Sequence, residues 1–161
     1  MLLTLAHIGS KTSKSGPKAN FDILTQLYLD RITPYHPCKT EIFPTEAAFL
    51  VWLSRCTNSG KAANLPALPV LLDSRGRLFS STEFASWLGA RRDQATRHIA
   101  FAIGPPDGWS QAAHDTILTQ SGFALSFGPM TMPHELARLV LAEQLYRACT
   151  ILAGHPYHSG H

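Results

Sequence analysis

The chain has 161 residues, 45% of them hydrophobic and 16% charged, with a formal net charge of +3. This is enough chain for a proper core, and the composition is that of a globular protein, which excludes wholesale disorder. No apolar run approaches the ~20 residues of a membrane helix, so no membrane partner is expected.

Residues 2–8 (LLTLAHI) read as a first strand, since the run lacks the basic flank and the length of a signal peptide. Residues 11–18 form a polar loop carrying Lys11, Lys14 and Lys18. Phe21, Leu24, Leu27, Tyr28 and Ile32 recur at helical spacing and predict an amphipathic helix, which Pro34 and Pro37 end. Residues 38–43 alternate and predict a short strand. Ala48, Phe49, Trp52 and Leu53 share a face, so 45–56 reads as a helix opening at Thr45. Residues 57–69 are a Gly/Asn/Pro-rich loop.

Residues 70–73 (VLLD) predict a buried strand, with Ser74–Gly76 as its turn. Ser80 and Glu83 have the spacing of a capping box, and Phe84, Trp87 and Leu88 give the helix they open an apolar face. Residues 89–98 read as a turn or loop with Arg91, Arg92 and Arg97. Residues 99–103 are another buried strand. Ser110 caps a helix to Gln120, Gly122 breaks it, and 124–127 is the last strand. Pro133 opens a long final helix at its first position; Gly154 stops it and Pro156 follows.

Strands and helices alternate, and the buried runs lack polar alternation. The expected fold class is therefore α/β, one domain over 1–161, with a mostly parallel sheet flanked by helices. Cys38, Cys56 and Cys149 are scattered without CxxC spacing, which suggests reduced thiols in a cytoplasm and no zinc site. Residues 1–97 hold 12 of the 14 bases and 7 of the 11 acids. A basic front half can attract phosphate; an ordinary solvated surface explains it equally well.

Chemical signatures are sparse. There is no GxGxxG, P-loop or metal-ligand spacing. His155, His158 and His161 are spaced by three, but no thiolate or carboxylate stands beside them. Ser110, His114 and Asp115 are close in sequence, yet Ser110 is better explained as a cap. Gly104 ends a strand at a turn. Either it is plain turn geometry, or its missing side chain lets a ligand lie against bare backbone. Met130 and Met132, by spacing alone, are as well explained as packing residues.

Ile103-Gly104, Leu125-Ser126-Phe127, Met130-Thr131-Met132-Pro133-His134, Arg138, Glu143 to Ala148 (EQLYRA) and Tyr157-His158 follow one another in an order that resembles the ribosomal RNA large-subunit methyltransferase H family. That family belongs to the SPOUT superfamily of knotted methyltransferases, and the match from Phe123 to His158 is almost gapless. The resemblance implies a SPOUT-type fold with a C-terminal trefoil knot. It implies S-adenosyl-L-methionine as cofactor, held by Leu72, Gly104 and the loop Phe127, Gly128, Pro129, Met130, Thr131 and Met132. It implies a homodimer, joined through part of the last helix's apolar face, that methylates N3 of a pseudouridine in large-subunit ribosomal RNA, on the ribosome or as free RNA. His134, Arg138, Tyr157 and His158 are then the groups available for catalysis, with no general base singled out. Arg138 is expected near the cofactor loop, where it could meet a phosphate or the base, and Arg147 in a structural ion pair.

Three departures accompany the resemblance. Gly104-Pro105 stands where the family usually has two glycines, the segment 44–69 is shorter and lacks a Lys-Glu-Gly run, and Ser159 replaces a frequent terminal base. They motivate the alternative reading: a knotted homologue that binds cofactor or RNA but has lost methyl transfer.

Overall fold

The structure, a computed structural model, describes residues 1–9, 16–58 and 66–158, with only the backbone at 17, 18, 57 and 58. The lysine loop at 11–15, residues 59–65, Ser159 and His161 lie outside the described residues.

The chain alternates β1 (Leu2–Ile8), α1 (Pro17–Ile32), β2 (Cys38–Phe43), α2 (Glu46–Asn58), β3 (Ala67–Leu78), α3 (Ser81–Asp93), β4 (His98–Ile103), α4 (Gln111–Thr119), β5 (Phe123–Ser126) and α5 (His134–Leu152), then a short 3-10 turn at Pro156–His158. Among the described residues, the five strands form one sheet in the order β2-β1-β4-β3-β5, and every pairing is parallel.

Strand periodicity explains why a buried run such as IAFAI (residues 99–103) is apolar throughout. Ile99, Phe101 and Ile103 of β4 face one layer, with Phe84, Leu88, Leu141 and Leu145 from α3 and α5. Ala100 and Ala102 face the other, with Phe49 and Leu53 of α2 and Ile117 of α4. A sheet covered on both faces leaves no polar side to alternate with. Each fully buried leucine of these layers stabilises the fold by roughly 1.5–3 kcal/mol.

Helix ends follow local chemistry. Ser80 and Glu83 form the expected capping box on α3, and Ser110 accepts from the Ala113 N–H at 3.1 Å on α4. Thr45 accepts from the Ala48 N–H at 3.2 Å before α2.

Two expectations are corrected. Residues 89–93 are not a loop: α3 continues through Arg91 and Arg92 to Asp93. Gly89 costs a helix ~1 kcal/mol against alanine, but here it is buried with Leu152 of α5 packed onto it, and that packing carries the helix past it. Nor does Ser74–Gly76 end its strand. β3 pairs with β5 from Val70↔Phe123 to Leu72↔Leu125, leaves the ladder, and resumes at Arg77↔Leu125. Residues 73–76 are thus an excursion inside one 12-residue strand.

Candidate functional site

The C-terminal ends of β3, β4 and β5 lie side by side, and a cavity of about 780 Å³ opens there. Open parallel sheets bind ligands at this edge, and the volume suits a cofactor-sized molecule. Leu72 and the 73–75 excursion of β3 form one wall, Gly104 to Trp109 a second, and Phe127 to Ala137 a third. The wall is largely turn backbone and apolar side chain.

Of the expected cofactor residues, Leu72, Gly104, Phe127, Gly128, Met130, Thr131 and Met132 all line this cavity. Pro129 belongs to the same loop but is not part of the lining, and Met130 is 75% exposed at its mouth. His134, at the start of α5, also lines the cavity. Its Nε2 lies 3.0 Å from Glu135, and its ring is 5.2 Å from that of His7.

Two polar clusters that the sequence reading did not assign shape the walls. Ser126 is buried at the end of β5. Its hydroxyl accepts from the Gly128 N–H at 3.0 Å and can donate to the Ser74 carbonyl at 3.0 Å. One side chain thereby ties the β3 excursion to the 127–132 loop. Asp73 accepts from the Arg75 side chain at 3.1 and 3.0 Å and lies 3.0 Å from His114 Nε2. The Arg75 guanidinium, opposed by partial burial and helped by the Arg75 N–H and His114, holds the Asp73 carboxyl down at about 2. Ser126 stood inside the motif of the resemblance and Asp73 ended a strand run; neither type in isolation signals a tie.

The remaining candidates sit elsewhere. Arg138 is a correction: one helical turn beyond His134, it is 2% exposed and ion-paired with Asp22 of α1, outside the cavity lining. Helix geometry turns it towards α1, where Asp22 neutralises it. The tail folds back onto α5. Tyr157 donates to Glu143 at 3.2 Å, packs tilted against Tyr146 with ring centroids 4.7 Å apart, and lies under the Arg147 guanidinium at 5.0 Å. Burial pushes its phenol up to about 12, so it stays a donor. His158 is half-buried, its Nδ1 enclosed without a hydrogen-bond partner among the described residues. Neither tail residue lines the cavity of its own chain. Arg147 pairs with Glu143 at 2.7 Å, the structural role expected of it.

The other chemistries find no support. Ser110 bonds Glu46, Asp115 bonds Gln111, and His114 bonds Asp73, so no Ser–His–Asp relay forms. The three cysteines are free; burial pushes Cys149 up to about 12 and raises Cys38 and Cys56. No group of three metal-ligating side chains occurs among the described residues. No described helix is long and apolar enough to cross a membrane.

The parallel sheet with a backbone-lined cavity at its C-terminal edge fits a family whose model, "Predicted SPOUT methyltransferase", matches residues 1–158. The chain belongs to the SPOUT methyltransferase family. It is 44% identical to the ribosomal RNA large subunit methyltransferase H of Koribacter versatilis over 161 residues, the whole of both chains. It is 41% identical to the protein of the same name from Xanthobacter autotrophicus, over 98% of this chain and 99% of that one. Among solved structures, the ribosomal RNA small subunit methyltransferase E of Neisseria gonorrhoeae, bound to S-adenosyl methionine, superposes with a TM-score of 0.51 at 18% identity. That match covers 93% of this chain and 65% of the other, and it establishes a shared fold.

Proposed function

We propose that this chain is a cytoplasmic, homodimeric, S-adenosylmethionine-dependent methyltransferase acting on N3 of a pseudouridine in large-subunit ribosomal RNA. The observation that carries the reading is the cavity whose walls are the turns after β3, β4 and β5. Relatives named as large-subunit ribosomal RNA methyltransferases, similar from end to end, support the target class.

The residues present suit the cofactor. Adenine and ribose call for apolar walls with backbone donors and acceptors, which Leu72, Gly104 and the 127–132 loop offer. When bound, S-adenosylmethionine supplies an electrophilic methyl group. The chain's own tasks are then alignment of the acceptor and help with the N3 proton. His134, on the cavity wall, has a ring nitrogen able to take up a proton. Tyr157 keeps its phenol protonated, and on leaving Glu143 its one hydroxyl proton can be donated to a uracil-like oxygen as charge builds on the ring. Arg138, paired with Asp22, holds α5 against α1 and acts as a positioning residue.

Because Tyr157 and His158 do not line their own chain's cavity, this reading brings them in from a twin. An apolar face supports the dimer. Ile23, Leu24 and Leu27 of α1 are 67%, 44% and 43% exposed. Beside them a groove of about 300 Å³ is lined by Leu24, Tyr28, Leu139, Val140 and Glu143. The trefoil knot of the family is proposed for the C-terminal third, where α5 follows β5 and packs on α1 and α3.

Pro105 favours the second reading, a homologue without transfer activity, because it lines the cavity and brings no N–H there. The test is methyl transfer to ribosomes and to free large-subunit RNA from cells lacking the gene, with the product located by mass spectrometry. Methylation of pseudouridine N3 is the expected result. Cofactor binding without transfer to either substrate would establish the second reading instead.

A further inference from the structure

Trp109 has no part in the chemistry above, yet it lines the cavity. Its side chain is almost buried, with 7% of the residue exposed. On the core side its ring packs 5.7 Å from that of Phe49. On the cavity side the indole N–H donates to the Leu72 carbonyl at 3.0 Å. The same ring covers Gly104: a Cβ there would stand 2.9 Å from both Cε2 and Nε1 and 3.2 Å from Cδ1. One indole therefore touches the last β3 residue paired with β4 and the first residue beyond β4, and both flank the cavity.

Leu72 and Gly104 can serve a ligand only through backbone, and backbone serves only if it is held in place. A carbonyl oxygen has two acceptor positions. Trp109 takes one at Leu72 and leaves the other in a fixed direction. The rigid ring, anchored on Phe49, spaces the two strand ends as a wedge would. Real Cβ atoms do not approach ring carbons to 2.9 Å, so Gly104 must lack a side chain for the indole to lie where it does.

We infer that Trp109 is a positioning residue of the cofactor cavity, fixing the Leu72 and Gly104 backbones for an adenosyl ligand, and that Gly104 is glycine in order to admit this indole. The inference rests on the reading that the cavity takes S-adenosylmethionine.

The test is a double-mutant cycle with S-adenosylhomocysteine as the calorimetric probe. Gly104→Ala is expected to weaken binding about tenfold by displacing the ring. Trp109→Leu removes the ring and is expected to weaken binding by a similar factor. The double variant should then bind no worse than Trp109→Leu, because the added methyl has nothing left to displace. A full tenfold loss from Gly104→Ala in the Trp109→Leu background would show that the glycine serves the ligand directly, and would overturn the inference.

Trp109→Phe keeps a ring against Phe49 and serves if the leucine variant does not fold. It is expected to bind several-fold more weakly for want of the N–H; wild-type affinity would overturn the inference. A further readout separates wall from mere scaffold. Trp52 and Trp87 do not line the cavity, so the change in tryptophan emission on adding the probe should vanish in Trp109→Phe. A change that persists would remove Trp109 from the wall. Failure of the wild-type protein itself to bind the probe would defeat the cofactor reading, and this inference with it.

Discussion

Replacing Asp73 by asparagine removes the charge that gathers the cavity rim while keeping the shape of the side chain. Asp73 is 8% exposed and holds Arg75 at 3.0 Å, with His114 at the same distance from the same carboxylate oxygen. Its carboxyl is held at about 2, mainly by the Arg75 guanidinium. A free aspartate titrates near ~3.9, so the difference corresponds to roughly 2.5 kcal/mol at ~1.36 kcal/mol per unit. Arg75 is 73% exposed, however, and solvent screens the pair, which brings the figure to about 1 kcal/mol. The sign follows from the direction. A depressed carboxylate stabilises the fold fully above its unfolded value, and that contribution fades as pH falls from about 4 towards about 2. Asp73→Asn should therefore melt about 3 °C below the wild type at pH 7, and the gap should close as pH approaches 2. Paired thermal melts at steps from pH 7 to pH 2 measure this directly, since all other carboxylates are common to both proteins. A gap that stays constant with pH would refute the ion-pair argument and leave only a packing effect.

Ser126→Ala leaves the Gly128 N–H and the Ser74 carbonyl without their shared partner, so it should cost about 1–2 kcal/mol and weaken cofactor binding; unchanged affinity by calorimetry would show that the 127–132 loop does not depend on this tie. Tyr157→Phe removes the hydroxyl that reaches Glu143 and should cost about 1 kcal/mol in a urea melt. In the shared-site reading the same variant loses methyl transfer at unchanged cofactor affinity, and full activity would take Tyr157 off the catalytic list. Leu24→Glu places a charge on the apolar groove beside Leu139 and Val140. Light scattering should give twice 17.6 kDa for the wild type and a monomer for the variant, which should still bind cofactor; a monomeric wild type with full activity would end the shared-site picture.

How much of this was legible beforehand depended on the range of the interactions. The caps at Ser80 and Ser110 follow from residues three apart, and the β4 run is apolar because both faces of the sheet are covered. Such local chemistry and periodicity determined the alternation of strands and helices, and with it the α/β class. The family resemblance implied the cavity-lining residues Leu72, Gly104 and most of the 127–132 loop. Contacts between distant residues could be decided only by the folded chain. Ser74–Gly76 looks like a strand end by composition, and the pairing of Arg77 and Leu78 with β5 makes it an excursion inside β3. Arg138 looks like a phosphate ligand, and a carboxylate 116 positions away neutralises it. Tyr157 follows a helix stop and belongs by sequence to no element, yet its ring and hydroxyl return to α5. Trp109 and Gly104 read as unrelated turn residues until the backbone puts an indole where a Cβ would be. In each case the sequence carries the chemical capacity of the side chain, and the partner that uses it is chosen by tertiary packing between segments whose separation along the chain leaves no periodic trace.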